Sequence, residues 1–187
     1  MKRSFGPKTI IFPTPTWVIC TWGKNGKPNA MAAAWGGICC SKPPCVGVSL
    51  RKATETYSNL MEKKAFTVNV PSENLVKFAD YFGMVSGRDE DKISVKKLTP
   101  IKSNLVDAPY LDEFPMILEC KVIQTVEIGL HTQFIGEIMD VKVDNECLDS
   151  KELPDMEKIK PLIYAPEIRK YYTVGKYLGE AFSIGKS

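Results

Sequence analysis

The dipeptide Asn25-Gly26 constrains the fold more than any other short feature of this 187-residue chain. It follows residues 17–22, which are rich in Trp, Val, Ile and Thr, and it precedes a second extended segment, residues 29–41. Asn-Gly between two strand-like segments favours a tight turn, because both residues tolerate the positive φ angles that such a turn requires. The sequence therefore predicts an antiparallel hairpin near its beginning.

The rest of the chain adds more strand-like segments and only a few helical ones. Strands are predicted at 45–50, 65–70, 93–98, 116–129 and 132–143, helices at 54–64 and 73–80, a surface loop at 83–92, an irregular stretch at 99–114 and a short helix or turn at 151–160. Strands and helices do not alternate as they do in a doubly wound sheet. We therefore expect a single domain, residues 1–187, built as a mainly β, closed or partly closed antiparallel barrel with a few short helices.

The charge balance argues against two classes of partner. The net charge is only +3, and the basic residues are spread along the chain rather than gathered in one block. The aromatic tail at 169–177 has too few cations to favour nucleic-acid binding. No segment resembles a signal peptide or reaches the roughly 20 apolar residues needed to cross a bilayer. We expect a cytoplasmic protein with no nucleic-acid or membrane partner.

Six cysteines and one histidine limit the metal chemistry that the chain could perform. His131 is the only histidine in the sequence, so a metal site with several histidine ligands is excluded. The spacing of Cys39, Cys40 and Cys45 does not match the paired cysteines of zinc or iron–sulfur sites. We expect no metal site and buried free thiols, because free cysteine is among the most buried residue types. A redox or metal role for the three neighbouring cysteines is the alternative.

The first candidate binding site is the stretch 28-PNAMAAAWGG-37. Alanine side chains cover little of their own backbone, so the edge of a flat ring could approach the main-chain N–H and C=O groups there. Trp35 could pack beside such a ring. The alternative is that the small residues only allow another element of the protein to pack closely.

The second candidate site is 49-SLRKAT-54, where a strand ends and a helix begins. The N-terminus of a helix has unpaired N–H groups and a positive dipole end, which suit a phosphate. Arg51 could bind phosphate oxygens through two N–H groups, and Ser49 and Thr54 add hydroxyl donors. A capped helix beside solvated cations is the alternative. Together the two stretches suit a mononucleotide that carries a large planar ring.

Several weak motifs, taken in order, resemble the flavin reductase-like FMN-binding family, and most of all its flavoredoxin branch. Their order and spacing, along nearly the whole chain, carry the resemblance. They are residues 15–22, 26-GKPNAMAA-33, 41-SKPPCVGVSLRKATETYSN-59, 66-FTVNVP-71, the loop from Ser86-Gly87 to Asp91-Lys92, 118-LECKV-122, 131-HTQFIGEIMDV-141 and the tyrosine-rich tail. The resemblance implies a split β-barrel of antiparallel, Greek-key type that binds FMN without a covalent bond, usually as a homodimer.

The resemblance also implies roles for individual residues. The alanine-rich strand would lie along the flavin ring, with contacts from Asn29, Met31, Ala32, Ala33 and Trp35. The phosphate-side positions match Ser49, Arg51 and Thr54, with Tyr57 nearby. A loop that closes over the ribityl-phosphate, from the same or the other subunit, matches Ser86, Gly87 and Lys92. His131 matches a position near the flavin and the nicotinamide approach, and Tyr171 or Tyr172 could cover the ring.

The sequence leaves two main functions open. One is NAD(P)H-dependent flavin reductase-type oxidoreductase activity, with electrons passing through bound FMN and His131 as the catalytic candidate. The other is flavoredoxin-type electron transfer with a redox protein partner and without appreciable NAD(P)H activity. A ligand-binding barrel with no redox role is a third hypothesis. The chain lacks the Gly-x-Gly-x-x-Gly dinucleotide fingerprint, so a nicotinamide donor would dock transiently.

Overall fold

A computed structural model describes residues 1–186, and β-strands make up most of their regular structure. The strands are β1 (Thr14–Pro15), β2 (Trp17–Trp22), β3 (Pro28–Ala33), β4 (Gly36–Ser41), β5 (Pro44–Arg51), β6 (Ala65–Val70), β7 (Pro100–Lys102), β8 (Pro109–Leu111), β9 (Met116–Ile128), β10 (His131–Val143), β11 (Leu162–Ala165) and β12 (Lys170–Thr173).

Short helices connect the strands. They are α1 (Glu55–Lys63), α2 (Val76–Met84), α3 (Lys92–Val95) and α4 (Met156–Ile159), with 3₁₀ turns at Glu73–Leu75, Asn145–Cys147 and Ile184–Lys186. α1 begins as the sequence predicts, because the Thr54 hydroxyl oxygen accepts a hydrogen bond from the Tyr57 backbone N–H at 3.2 Å. It ends at Lys64, which adopts the left-handed conformation that commonly stops a helix.

Seven strands form one antiparallel sheet in the order β3-β2-β6-β9-β10-β5-β4. β2 and β3 form the predicted hairpin, and Gly26 has the positive φ of +69° that its turn needs. β3 and β4 are the two edges of the sheet, yet only Ala34 and Trp35 separate them in sequence. A chain this short spans at most about 11 Å, so the sheet must curl until its edges approach each other.

The curled sheet has a hydrophobic core on each of its two faces. Alternate residues of a strand point to opposite faces of the sheet. Ile19 therefore faces one core, here called the inner core, while Val18 and Cys20 face the other, the outer core. The inner core also contains Phe66 and Phe134 from β6 and β10. α2, α3 and β8 cover the outer core with the side chains of Ala79, Phe82, Ile93 and Leu111.

The structure corrects three sequence-based predictions of secondary structure. Residues 29–41 are two strands rather than one extended segment, because the chain crosses between the sheet edges at Ala34 and Trp35. The predicted strand 93–98 is not formed: residues 93–95 belong to the helix α3, whose Asp91 cap accepts a hydrogen bond from the Ser94 N–H. The stretch 99–114, predicted to be irregular, contains the hairpin of β7 and β8.

The cysteines only partly match the prediction of buried thiols. All six are free, and Cys20, Cys45, Cys120 and Cys147 are buried, but Cys39 and Cys40 are exposed. Both lie on the edge strand β4, which pairs with β5 alone among the strands of residues 1–186. Burial raises the pKa of the Cys20 and Cys120 thiols, which lowers the fraction of each that is present as thiolate.

Residues 1–186 lack two features. None of the helices there has both the length and the apolar character to span a bilayer. Within the same residues, no group of three or more His, Cys, Asp or Glu side chains is arranged to hold a metal ion.

Candidate flavin-binding cleft

One cleft of about 460 Å³ collects most of the predicted site residues. β3 and the Ala34–Trp35 crossing form one wall, the end of β5 and the start of α1 form a second, and the segment from Phe82 to Lys92 forms the third. The predicted residues that line it are Asn29, Met31, Ala32, Ala33, Trp35, Ser49, Arg51, Thr54, Ser86, Gly87, Lys92 and His131.

The β3 wall presents little side chain and an unpaired backbone edge. β3 pairs with β2 on one side and, within the described part of the chain, with no strand on the other. Ala32, Ala33 and Ala34 line the cleft at the end of this strand. Trp35 follows at the crossing, where its carbonyl accepts a 2.8 Å hydrogen bond from the Ser49 N–H and ties this wall to β5.

Asn29 holds the three walls together. Its side chain is buried and donates a 2.8 Å hydrogen bond from Nδ2 to the Thr56 hydroxyl on α1. Its Oδ1 atom lies against the backbone of Gly87, where an added Cβ would come within 2.0 Å. A side chain at position 87 would therefore force the Asn29 amide to move. Asn29 also lines the cleft, but its amide nitrogen is already engaged.

The second wall has a positive end. The Arg51 side chain is exposed and forms no ion pair with any carboxylate of residues 1–186. The N–H groups in the first turn of α1 face no carbonyl within the helix, because no helical turn precedes them. The Thr54 hydroxyl is less available than predicted, since it donates to the Arg51 carbonyl at 2.9 Å and caps the helix.

One acidic residue at this end is already neutralised. Glu55 lines the cleft beside the start of α1, where a free carboxylate would repel an anion. The Arg88 guanidinium lies 3.2 Å from the Glu55 carboxylate and offsets its charge. The local charge around the start of α1 therefore still favours a negatively charged ligand.

Lys92 is a buried cation at the third wall. Only 4% of its surface is exposed, and its ammonium donates a 3.0 Å hydrogen bond to the Val85 carbonyl. It forms no ion pair with the carboxylates of residues 1–186. Burial lowers the pKa of Lys92 to about 8, although the nearby Cys20 opposes this shift. A buried charge without a partner is costly, so the cleft favours an anionic or strongly polar occupant.

His131 is the first residue of β10 and lies at the edge of the cleft. It is opposite Arg51 in β5 and Ile128 in β9. Its side chain is half-buried, so it can contact both a ligand in the cleft and solvent.

The structure does not bring two predicted residues into the cleft. Tyr57 points into the inner core and packs edge-on against Phe134, with ring centroids 5.7 Å apart. Tyr171 lines a separate cavity of about 250 Å³ that adjoins the cleft through Ala32, Ala33 and Ala34. There its hydroxyl donates a 3.0 Å hydrogen bond to Asp80. Burial and this contact raise the pKa of Tyr171.

Sequence reasoning missed several residues of the cleft. They are Leu50, Ala53, Glu55, Thr56, Phe82, Gly83, Met84 and Val85. Glu55 and Thr56 directly follow the predicted helix cap, Thr54. The segment from Phe82 to Val85 was missed because α2 continues to Met84, past its predicted end at residue 80.

Comparison with known proteins assigns the chain to a family. The sequence profile described as "Flavin reductase like domain" matches residues 9–175. The chain therefore belongs to the flavin reductase-like family of flavoproteins.

Solved structures narrow the class. The flavoredoxin of Desulfovibrio vulgaris (Miyazaki F) is 53% identical, with a TM-score of 0.95 over 99% of this chain and 100% of its own. The flavoredoxin of Methanosarcina acetivorans is 32% identical, with a TM-score of 0.93 over 100% and 98%. The chain thus falls in the flavoredoxin branch of the family. The predicted split β-barrel fold is confirmed as well.

A more distant relative bears an enzyme name. A protein of Archaeoglobus fulgidus named "Ferric-chelate reductase (NAD(P)H)" is 28% identical over 146 residues, which are 76% of this chain and 85% of that protein.

The low pKa of Lys92 predicts how stability depends on pH. In flavin-free protein, Lys92 loses its proton at about pH 8, whereas in the unfolded chain it does so near pH 10.4. Between these values the unfolded state binds more protons, so the free energy of unfolding should rise with pH by at most about 1.4 kcal/mol per pH unit. Urea unfolding of wild type and Lys92→Met from pH 7 to 10 measures this rise as the difference between them. A constant difference would show that the Lys92 ammonium is solvated.

Proposed function

We propose that the chain binds FMN non-covalently in this cleft and acts as an NAD(P)H-dependent, flavin reductase-type oxidoreductase. The observation that carries the proposal is the composition of the cleft. It joins a wall with little side chain, on β3, to positive charge on the other two walls, from Arg51 and the start of α1 on one and the buried Lys92 on the other. A ligand with a flat ring and a phosphate on a flexible linker would fit this combination of walls.

The β3 wall suits the ring. Ala32 and Ala33 leave the strand accessible, and the unpaired edge of β3 offers main-chain N–H and C=O groups to the polar edge of a heteroaromatic ring. Met31 and Trp35 add polarizable and aromatic surface beside it. These contacts exclude water from one side of the ring and fix its orientation.

The positive end suits the phosphate. Arg51 is free to form a charge-assisted, two-point contact with phosphate oxygens, and the N–H groups at the start of α1 add to it. Ser49 and Ser86 contribute hydroxyl groups from two different walls. Lys92 supplies a positive charge that water screens little, because the residue is buried.

Bound FMN would supply the hydride and electron chemistry, while the protein binds and orients the reactants. His131 lines the cleft and is half-buried, so it could orient a nicotinamide donor that docks from solvent. The sequence has no dinucleotide fingerprint, and we therefore propose that NAD(P)H docks only transiently.

The second candidate function is electron transfer with a redox protein partner. It is supported by the 53% identity with a protein named flavoredoxin, over nearly the whole of both chains. In this case the cleft would hold FMN in the same way, but NAD(P)H would reduce it slowly or not at all.

The purified protein should be yellow and should release FMN on heating. Under anaerobic conditions, NADPH or NADH should bleach the flavin absorbance within the time of mixing if the protein is a reductase. Bleaching only by dithionite or a reduced protein donor would support the electron carrier instead. A colourless protein that also fails to bind added FMN would refute both functions.

Arg51→Ala should weaken FMN binding. Loss of one charge-assisted phosphate contact should cost about 1.5–3 kcal/mol, or roughly 10- to 150-fold in Kd. Fluorescence titration of flavin-free protein with FMN measures this.

Lys52→Ala is the matched control. It removes the same charge from the next position, but Lys52 is paired with Glu127 and does not line the cleft. Its Kd should stay close to that of the wild type. Equal losses in the two variants would mean that Arg51 acts only through the general charge of this surface.

We also propose that the protein is a homodimer. Ile128, the last residue of β9, and Leu130, in the turn that follows it, are exposed to 53% and 63%. Exposed apolar side chains that lie close together favour burial against a second copy of the chain. Light scattering on a size-exclusion column should give twice the mass of one chain at micromolar concentration. The mass of a single chain would contradict the dimer.

A further inference from the structure

Two of the three neighbouring cysteines face each other across a hairpin. β4 and β5 are joined by Lys42 and Pro43, and the pairing places Cys40 directly opposite Cys45. Opposed residues of an antiparallel pair have Cα atoms about 4.5–5.5 Å apart and side chains on the same face. This separation lies within the range of about 4.4–6.8 Å that a disulfide bond requires.

The two thiols differ in their access to solvent. Cys40 is exposed on the sheet edge, whereas only 2% of the Cys45 surface is exposed. Burial, and then the neighbouring Cys40 and Cys39 thiols, raises the pKa of Cys45. Cys40 is therefore the thiol that a reagent in solution meets first, and Cys45 is held beside it as a second thiol.

The other cysteines are poorly placed to compete for Cys45. Cys120 lies on β9, and β10 separates that strand from β5. Two strand spacings amount to about 9.5 Å, beyond the roughly 7 Å limit for a disulfide. Cys39 lies at a register irregularity between Ile38 and Cys40 and has no opposed residue in β5.

We propose that Cys40 and Cys45 form a redox-active dithiol, which a small-molecule disulfide of the glutathione type oxidises to a disulfide within the chain. The Cys40 thiolate attacks one sulfur of the small disulfide, forms a mixed disulfide and releases one small thiol. The Cys45 thiol then loses its proton and attacks the Cys40 sulfur. The second small thiol leaves, so two protein thiols are oxidised and one small disulfide is reduced to two thiols.

Anaerobic incubation of the holoprotein in oxidised and reduced glutathione tests this proposal. After acid quenching, free thiols are alkylated with one reagent, and those released by reduction are alkylated with its isotopic form. Tandem mass spectrometry then assigns the label at each cysteine. Cys40 and Cys45 should carry the second label and Cys39 the first, with a mass loss of about 2 Da before reduction, for the two hydrogens removed.

Two variants separate the steps. Cys39→Ser should form the same disulfide as the wild type. Cys45→Ser should stop at the mixed disulfide and retain one glutathione on Cys40. Pairing of Cys39 with Cys40 would overturn the proposal, and so would full retention of the first label in strongly oxidising buffer. FMN content and NADPH bleaching, measured on the same samples, keep this result separate from the proposed flavin function.

Discussion

The cleft depends on one buried amide. Asn29 is part of the edge strand β3, donates a hydrogen bond to Thr56 on α1 and contacts the backbone of Gly87 in the loop. These three elements are far apart in sequence, and each forms a different wall. An unsatisfied amide at a buried position would cost about 1–3 kcal/mol, so the three walls hold one relative position. The positive end and the bare strand can then act on the same ligand.

Local signals in the sequence predicted the elements that local chemistry determines. Asn25-Gly26 gave the hairpin and Thr54 gave the start of α1, because the turn and the cap each depend on residues only a few positions apart. Tertiary structure determined the rest. The break between β3 and β4 at Ala34 and Trp35 exists because the sheet closes on itself. No local sequence pattern predicts that closure. Residues 93–98 were misread because a short apolar run fits a strand or a helix equally well, and the Asp91 cap decides between them.

The site residues show the same division. The residues on β3, on β5 and in the 86–92 loop were predicted from resemblance and chemistry, and the fold brings them together. Tyr57 is one residue beyond the cleft-lining Thr56, but the helix turns its ring toward Phe134. Side-chain direction on a helix changes by about 100° per residue, since a turn contains 3.6 residues. A motif that places a residue near a site therefore does not settle which way its side chain points.

Because of the crossing at Ala34 and Trp35, the position of the β3 wall depends on the circumference of the barrel. These two residues connect the first and last strands of a seven-strand sheet, so every strand spacing between them contributes to the distance that they must bridge. The pairing of β9 with β10 contains two register irregularities, and the pairing of β4 with β5 contains a third. Irregularities of this kind change the local twist. A substitution that adds or removes such an irregularity would widen or narrow the gap between β3 and β4 at Trp35, although the substituted residue lies outside the cleft. The number and pairing of the strands around the barrel thus determine the width of the cleft.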